Sequence, residues 1–385
     1  MKAYALRGAL VTPFEMISSG QLEVEEGAIA YVGSERSYGG EVLDYKGDLV
    51  CPGFIDIHVH GGASVDAMDS DPEALSRLST YLAAGGVTGF LATTHTAPLK
   101  ELEAALCRVK AAQRMSAPGA QILGAHVEGP FISQEKKGAQ DGGNVRRATE
   151  QELDALYQAS GETIKIMTLA PETQDALRAA EWLVERGIVA AVGHTDATYE
   201  DALRAFDRDF THLSHFYNGM RGFNHRDPGV VGAGLTDDRV TLELVADGVH
   251  VHPAALRLAL LAKGPAKIAL VSDSVKPAGL PDGEYSFGGR AFYVRGRSIT
   301  LEDGVIAGSG IRLNDAVRVM VEEARGTLTE AVQMASSTPA RILRLTPRKG
   351  ELTEGSDADL TVLDWDYRVL RTIVGGETVY EAGWP

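Results

Sequence analysis

A chain of 385 residues with 44% hydrophobic content has the composition of a globular enzyme, long enough for one large core with an appendage or for two domains. Its formal net charge of -16 argues against nucleic acid or an anionic membrane as the main partner, since both would repel such a surface, and a phosphorylated ligand would need a local basic pocket. Cys51 and Cys107 are too few for a disulfide framework, residues 1–16 hold no leader-like apolar core, and no apolar run approaches the roughly 18 residues of a membrane span, so a reducing, cytoplasmic setting is expected.

Residues 1–51 read as short strands between turns, over 4–10, 20–24 and 28–32 and ending at Val50. The same texture returns near residue 349, with strands expected at 358–363, 369–374 and, across Gly375-Gly376, at 378–380. The two β-rich ends are expected to pair into one small β-sandwich domain, 1–51 with 346–385, leaving 52–345 between them.

Inside 52–345, apolar β-branched runs recur at 54–57, 87–93, 122–127, 164–169, 188–192, 210–213, 241–246 and 267–272. Most are followed by helical periodicity, over 72–84, 99–113, 149–158, 173–186, 199–206, 253–261 and 313–325. Eight strands alternating with helices predict the α/β class and a (β/α)8 TIM-like barrel. The alternative is an open doubly wound sheet, but no Gly-x-Gly-x-x-Gly follows the first strand and no Walker-type lysine loop occurs. Residues 281–306, punctuated by glycine, read as a hairpin inserted after the eighth strand.

The first barrel run ends in Pro52-Gly53-Phe54-Ile55-Asp56-Ile57-His58-Val59-His60-Gly61-Gly62. A strand has a side-chain period of two, so His58 and His60 share one face, where two imidazoles can hold a metal ion or merely sit in hydrogen bonds. Other metal-type residues stand at equivalent places: Glu128 after the third run, His194 after the fifth, His215 after the sixth and Asp273 after the eighth. Barrel active sites gather at the C-terminal ends of the strands, so these residues are expected to converge on one mouth as a metal site.

Glu128 could instead cap the following helix, but a carboxylate there can also bridge two ions. His126 shares its face and is read as supporting the ligands or touching substrate. On the sixth strand His212 and His215 are three residues apart, so an extended strand would turn only one inward, and His215, nearer the end, is preferred. Lys165 stands at the start of its strand and reads as packed or snorkelling. Asp273, in Val271-Ser272-Asp273-Ser274, is placed to take a proton from water and hand it to a leaving nitrogen.

These pieces resemble the amidohydrolase superfamily, and within it the family of N-acetylglucosamine-6-phosphate deacetylases, over nearly the whole chain. The resemblance is carried by the His58-Val59-His60 segment, His126-Val127-Glu128-Gly129-Pro130-Phe131, Thr168-Leu169-Ala170-Pro171-Glu172, Val192-Gly193-His194-Thr195, His215-Phe216-Tyr217-Asn218-Gly219-Met220, Asp247-Gly248-Val249-His250 and Val271-Ser272-Asp273 with Pro277-Ala278-Gly279. It implies one divalent ion on Glu128, His194 and His215 and a second on His58 and His60 bridged by Glu128, that is one or two ions per chain, zinc or iron. Asp273 matches the family's catalytic aspartate, and Asn218 and Gly219 match the segment that contacts the sugar phosphate. Arg226 and His250 match residues that reach the phosphate from the neighbouring subunit of a homodimer.

Two positions depart from the family. Gln140 stands where many relatives carry a substrate-contacting histidine, so help with the acetyl carbonyl is expected from the second metal, and Arg312 replaces a small polar residue. The implied reaction is hydrolysis of N-acetyl-D-glucosamine 6-phosphate to D-glucosamine 6-phosphate and acetate, in amino-sugar catabolism. The alternatives are the galactosamine isomer or another N-acetylated small molecule as substrate, and a non-catalytic scaffold that has kept the fold.

Overall fold

In the computed structural model, which describes residues 3–115 and 118–383, eight parallel strands stand side by side in chain order. They are Phe54–Val59, Val87–Thr94, Gln121–Glu128, Ile164–Leu169, Val189–Val192, Phe210–Leu213, Thr241–Val245 and Ile268–Val271. Every one coincides with an expected run to within two residues at either end. Between the first and eighth strands the seam is spanned by the Asp273 N–H donating to the His58 carbonyl at 2.9 Å and the Ser272 N–H donating to Asp56 Oδ1 at 3.2 Å.

Strands covered on both faces divide the apolar side chains into two sets. One set, including Phe54, Phe90, Phe210 and Leu244, packs against the surrounding helices. The other, with Ile57, Leu91, Ile166, Val245 and Val271, fills the barrel interior together with Ala340. Ile166 and Val245 lie two residues before or after Thr168 and Glu243 on the same strand faces, so this apolar layer shares the barrel interior with the polar groups described below. The mouth side chains thus rest on a dry, close-packed floor, which limits their freedom to move.

The chain ends pair as expected, and their hydrogen bonding makes one seven-stranded sheet: Glu377–Glu381, Val369–Val374, Leu360–Leu363, Glu41–Pro52, Tyr4–Val11, Met16–Glu25 and Ala28–Ser34. Register shifts next to Gly8 are irregularities of the kind that bend a sheet, and the sheet carries its own core of Leu6, Leu10, Leu22, Ile29, Val50, Leu360 and Ile373. Through Gly53 the strand Glu41–Pro52 leads straight into the first barrel strand.

Three helices lie where periodicity signalled none: Gly229–Thr236, Leu328–Ala335 and Ser337–Ile342. The first, Gly-Val-Val-Gly-Ala-Gly-Leu-Thr, is poor in helix propensity and buried over most of its length, so packing rather than sequence makes it a helix. The insertion after the eighth strand is a four-stranded antiparallel meander, Gly283–Phe287, Arg290–Arg295, Ser298–Leu301 and Ile306–Ser309, rather than a single hairpin.

Candidate metal centre

His194, His215 and Asp273 each lie just past the end of a barrel strand and adopt left-handed backbone angles, with φ of 45°, 30° and 48°. For residues other than glycine such conformations cost about 1–3 kcal/mol each and persist only where the surroundings impose them. The turn swings each side chain inward across the mouth, toward Glu128 at the end of the third strand.

Glu128 is the hub. Its Oε1 lies 2.8 Å from His215 Nε2 and 3.3 Å from both His194 Nε2 and His58 Nε2. Its Oε2 lies 3.4 Å from His60 Nε2 and accepts a hydrogen bond from the Gln140 amide. Asp273 Oδ1 stands 3.5 Å from His60 Nε2 and 3.8 Å from His58 Nε2, and those two nitrogens are 3.3 Å apart. All six expected residues therefore meet, and every one of them is buried.

The outer nitrogens fix what the inner ones can do. His194 Nδ1 bonds the Lys136 carbonyl at 2.8 Å and His215 Nδ1 the Asn218 carbonyl at 3.1 Å. A carbonyl only accepts, so each Nδ1 must carry the proton and each neutral ring presents a bare lone pair at Nε2. His58 Nδ1 donates in the same way to Glu243 at 2.8 Å. With these rings neutral, three lone pairs would face a carboxylate oxygen, an arrangement of acceptors that is repulsive unless positive charge lies among them.

The ionisation balance makes the same demand. Burial disfavours charge on His58, yet Glu243 and Glu128 override it and raise its pKa well above the imidazole range; at His60 and His194, Glu128 likewise overrides burial. Burial also opposes the ionised forms of Glu128 and Glu243. His194 and His58 override it at the first, and His58 and His212 at the second, holding both carboxylates well below their ordinary range. Among the described residues, Glu128 with His194 and His215, and His58 with His60 and Asp273, form groups close enough to hold an ion. A third such group, His58 with His126 and Glu243, is already saturated by hydrogen bonds.

His126 is not among the inward lone pairs. Its Nδ1 bonds the Ile57 carbonyl at 3.0 Å and its Nε2 bonds Thr168 Oγ1 at 2.8 Å, while burial, helped by the charge of His58, drives its pKa down to about 3. It is a neutral brace packed 4.5 Å from the His58 ring, centre to centre.

Sequence reasoning missed Glu243 and set aside His212. Glu243 accepts from His58 Nδ1, from His212 Nε2 at 2.9 Å and from the His215 backbone N–H at 2.9 Å. A single acid inside the apolar run 241–246 was the available signal. The expectation that only one of His212 and His215 faces inward is corrected: both are buried in the barrel, because His215 lies beyond the strand end, where the period of two no longer holds.

Asn218 and Gly219 lie against these ligand-type residues. Gly219 has a φ of 58°, and an added Cβ would stand 3.0 Å from His194 Nδ1, so only glycine suits the position. Arg226 is exposed and makes no ion pair among the described residues; Asp227 instead faces Arg221 at 3.6 Å. His250, expected to reach the phosphate in a neighbouring subunit, is held within its own chain by Asp247. Its side chain is 6% exposed and bonds Asp247 at 2.6 Å. Against the penalty of burial, Asp247 raises its pKa and Asp273 of the same chain adds to the effect.

A closed parallel barrel carrying a His/Glu/Asp cluster at its C-terminal mouth defines a metal-site hydrolase of the amidohydrolase kind. The sequence model of the Amidohydrolase family matches residues 49–379, and the chain belongs to that family. It is similar to the N-acetylglucosamine-6-phosphate deacetylase of Bacillus subtilis (strain 168), 39% identical over 97% of this chain and 96% of the relative. It is also similar to the N-acetylgalactosamine-6-phosphate deacetylase of Escherichia coli O157:H7, 39% identical over 96% of this chain and 97% of the relative. Among solved structures, a variant of the Mycobacterium smegmatis N-acetyl-D-glucosamine-6-phosphate deacetylase in complex with N-acetyl-D-glucosamine-6-phosphate superposes with a TM-score of 0.93 at 31% identity, covering 98% of this chain and 100% of that one. Among the described residues no helix is long and apolar enough to cross a membrane.

Proposed function

We propose that the protein is a metal-dependent deacetylase that converts N-acetyl-D-glucosamine 6-phosphate to D-glucosamine 6-phosphate and acetate. The observation that carries this is the convergence of His58, His60, His194 and His215 on the carboxylate of Glu128, with Asp273 beside them. The M. smegmatis relative solved with that phosphosugar supports the choice of substrate.

In this reading Glu128, His194 and His215 would hold one divalent ion, zinc or iron, and His58 and His60, together with Glu128, would hold a second. Ions held there supply Lewis-acid polarisation of a carbonyl and lower the pKa of water toward neutrality. The chain's own residues do the rest. Glu243 and the Lys136 and Asn218 carbonyls keep His58, His194 and His215 in one tautomer and orientation, and the His126 ring packs against that of His58. Asp273, held by the His58 carbonyl through its own N–H, takes a proton from the attacking water and delivers it to the departing amine nitrogen. Asn218 and Gly219 contact the sugar phosphate, and His250 and Gln140, whose amide lies on Glu128, are the further substrate-binding residues.

In a chain of net charge -16 the phosphate needs a local cationic partner. Arg226, exposed and unpaired among the described residues, is assigned that task across a homodimer, in the neighbouring subunit's site. We take 1–51 with 346–385 as the small domain and 52–345 as the barrel. Free Cys51 and Cys107 suit the reducing interior of a cell, where we place the enzyme.

The experiment is acetate release by the metal-loaded protein from the two 6-phosphosugars, measured side by side. Preference for the glucosamine derivative is expected. The similarity to the E. coli relative makes the galactosamine derivative the second reading, and faster turnover of that isomer would install it. Metal-loaded protein that releases acetate from neither sugar would leave another N-acetylated small molecule as substrate, or a non-catalytic scaffold.

A further inference from the structure

The second barrel strand, Val87–Thr94, ends at the mouth beside His95, a residue that the site described above leaves unused. Its backbone is pinned on both sides. The His95 N–H donates to Met68 Sδ at 3.3 Å, and the next N–H, of Thr96, donates to Gln140 Oε1 at 2.6 Å, on the same amide whose NH2 bonds Glu128. The strand end is therefore tied into the cluster, while the His95 ring itself is exposed, with its centre 6.5 Å from that of His60.

His95 differs from the imidazoles around it. His58, His194 and His215 have their outer nitrogens locked on Glu243 and on the Lys136 and Asn218 carbonyls. The His95 ring makes one long contact, from Nδ1 to the Thr96 carbonyl at 3.4 Å, and its Nε2 has no partner among the described residues. A carbonyl only accepts, so that contact puts the proton on Nδ1 and leaves Nε2 a bare acceptor. Nearby, His60 Nδ1 and Thr96 Oγ1 are buried without a protein partner. Buried polar atoms are nearly always hydrogen-bonded, so this side of the mouth offers bonding capacity that a polar ligand can complete.

Resting on the deacetylase reading above, we propose that His95 is a further substrate-binding residue, which accepts at Nε2 a hydrogen bond from a sugar hydroxyl next to the acetamido group. Its ring stands beside His60, one of the residues around which the acetyl group must sit, so it reaches the atoms that flank that group. In N-acetyl-D-glucosamine 6-phosphate these are the hydroxyls at C1 and C3. The galactosamine isomer differs only at C4, so His95 serves both isomers alike.

The test is steady-state acetate release by the metal-loaded full-length protein, with metal content read by elemental analysis and the fold of each variant by circular dichroism. His95→Phe keeps a ring and removes the acceptor. It should raise KM by about five- to tenfold and leave kcat nearly unchanged, because the bond is made equally in the ground state and the transition state. His95→Gln, which keeps an acceptor, should recover part of the loss. The 1-deoxy and 3-deoxy derivatives of the substrate identify the hydroxyl: with wild type one of them should show the same rise in KM, and with His95→Phe that derivative should lose nothing further. Both variants should keep the wild-type metal content and the wild-type ratio between the two 6-phosphosugars. An unchanged KM in His95→Phe, losses that multiply for both deoxy derivatives, or a variant that loses metal would overturn the inference. Wild type that turns over neither 6-phosphosugar would overturn the deacetylase reading, and the inference with it.

Discussion

Glu243 offers a sharp test of how the cluster is held, because it touches no expected ligand atom and yet braces several of them. It is fully buried and accepts from His58 Nδ1, His212 Nε2 and the His215 backbone N–H at 2.8–2.9 Å. In Glu243→Gln the amide oxygen can occupy the Oε2 position and keep the bonds from His58 and His215, while its NH2 faces His212, which can change tautomer. Packing survives and the charge does not. Metal affinity should then fall by about 10–100-fold, the usual effect of removing an outer partner, with little change in unfolding free energy. Glu243→Ala instead leaves two or three buried donors without an acceptor, at about 1–3 kcal/mol each, so destabilisation of about 2–9 kcal/mol is expected besides the loss of metal. Chelator competition reads the first variant and urea unfolding the second. A Gln variant that retains native metal affinity would refute the view that Glu243 tunes the cluster through His58.

Elemental analysis of protein prepared without chelator should approach two ions per chain, and His58→Asn combined with His60→Asn should lower that toward one; a native count that never exceeds one removes the second ion. Asp273→Asn should cost on the order of 10²–10⁴ in turnover with the fold intact, as expected for a general acid–base group, and near-normal turnover would dismiss the assignment. Co-expressed Arg226→Ala and Asp273→Asn subunits, each nearly inactive alone, should recover roughly a quarter of wild-type activity per subunit, because half of randomly paired dimers contain one intact site of two. No recovery from heterodimers shown to form would place Arg226 in its own chain's pocket.

The chain itself announced whatever depends on local periodicity. Alternation of period two and 3.6 located all eight barrel strands, and a parallel barrel carries every strand end to the same mouth, so His58, His60, Glu128, His194, His215 and Asp273 could be grouped before any coordinate was known. Where the backbone leaves that periodicity, the side chains no longer follow the pattern of the sequence. His212 and His215 both turn inward because His215 sits in a left-handed turn beyond its strand. The glycine-rich helix Gly229–Thr236 carries no helical signal and is imposed by burial.

The partners of the cluster were decided by tertiary structure alone. His58 and Glu243 are 185 positions apart, and the amide of Gln140 reaches Glu128 only because Thr96, from another strand end, fixes its far side. Hydrogen bonds of this range have no periodicity to betray them. They exist only once the barrel has closed, when a buried donor must find whichever acceptor the fold brings beside it. The sequence determined which side chains would stand at the mouth; the closed barrel determined which proton each of them holds, and toward which neighbour.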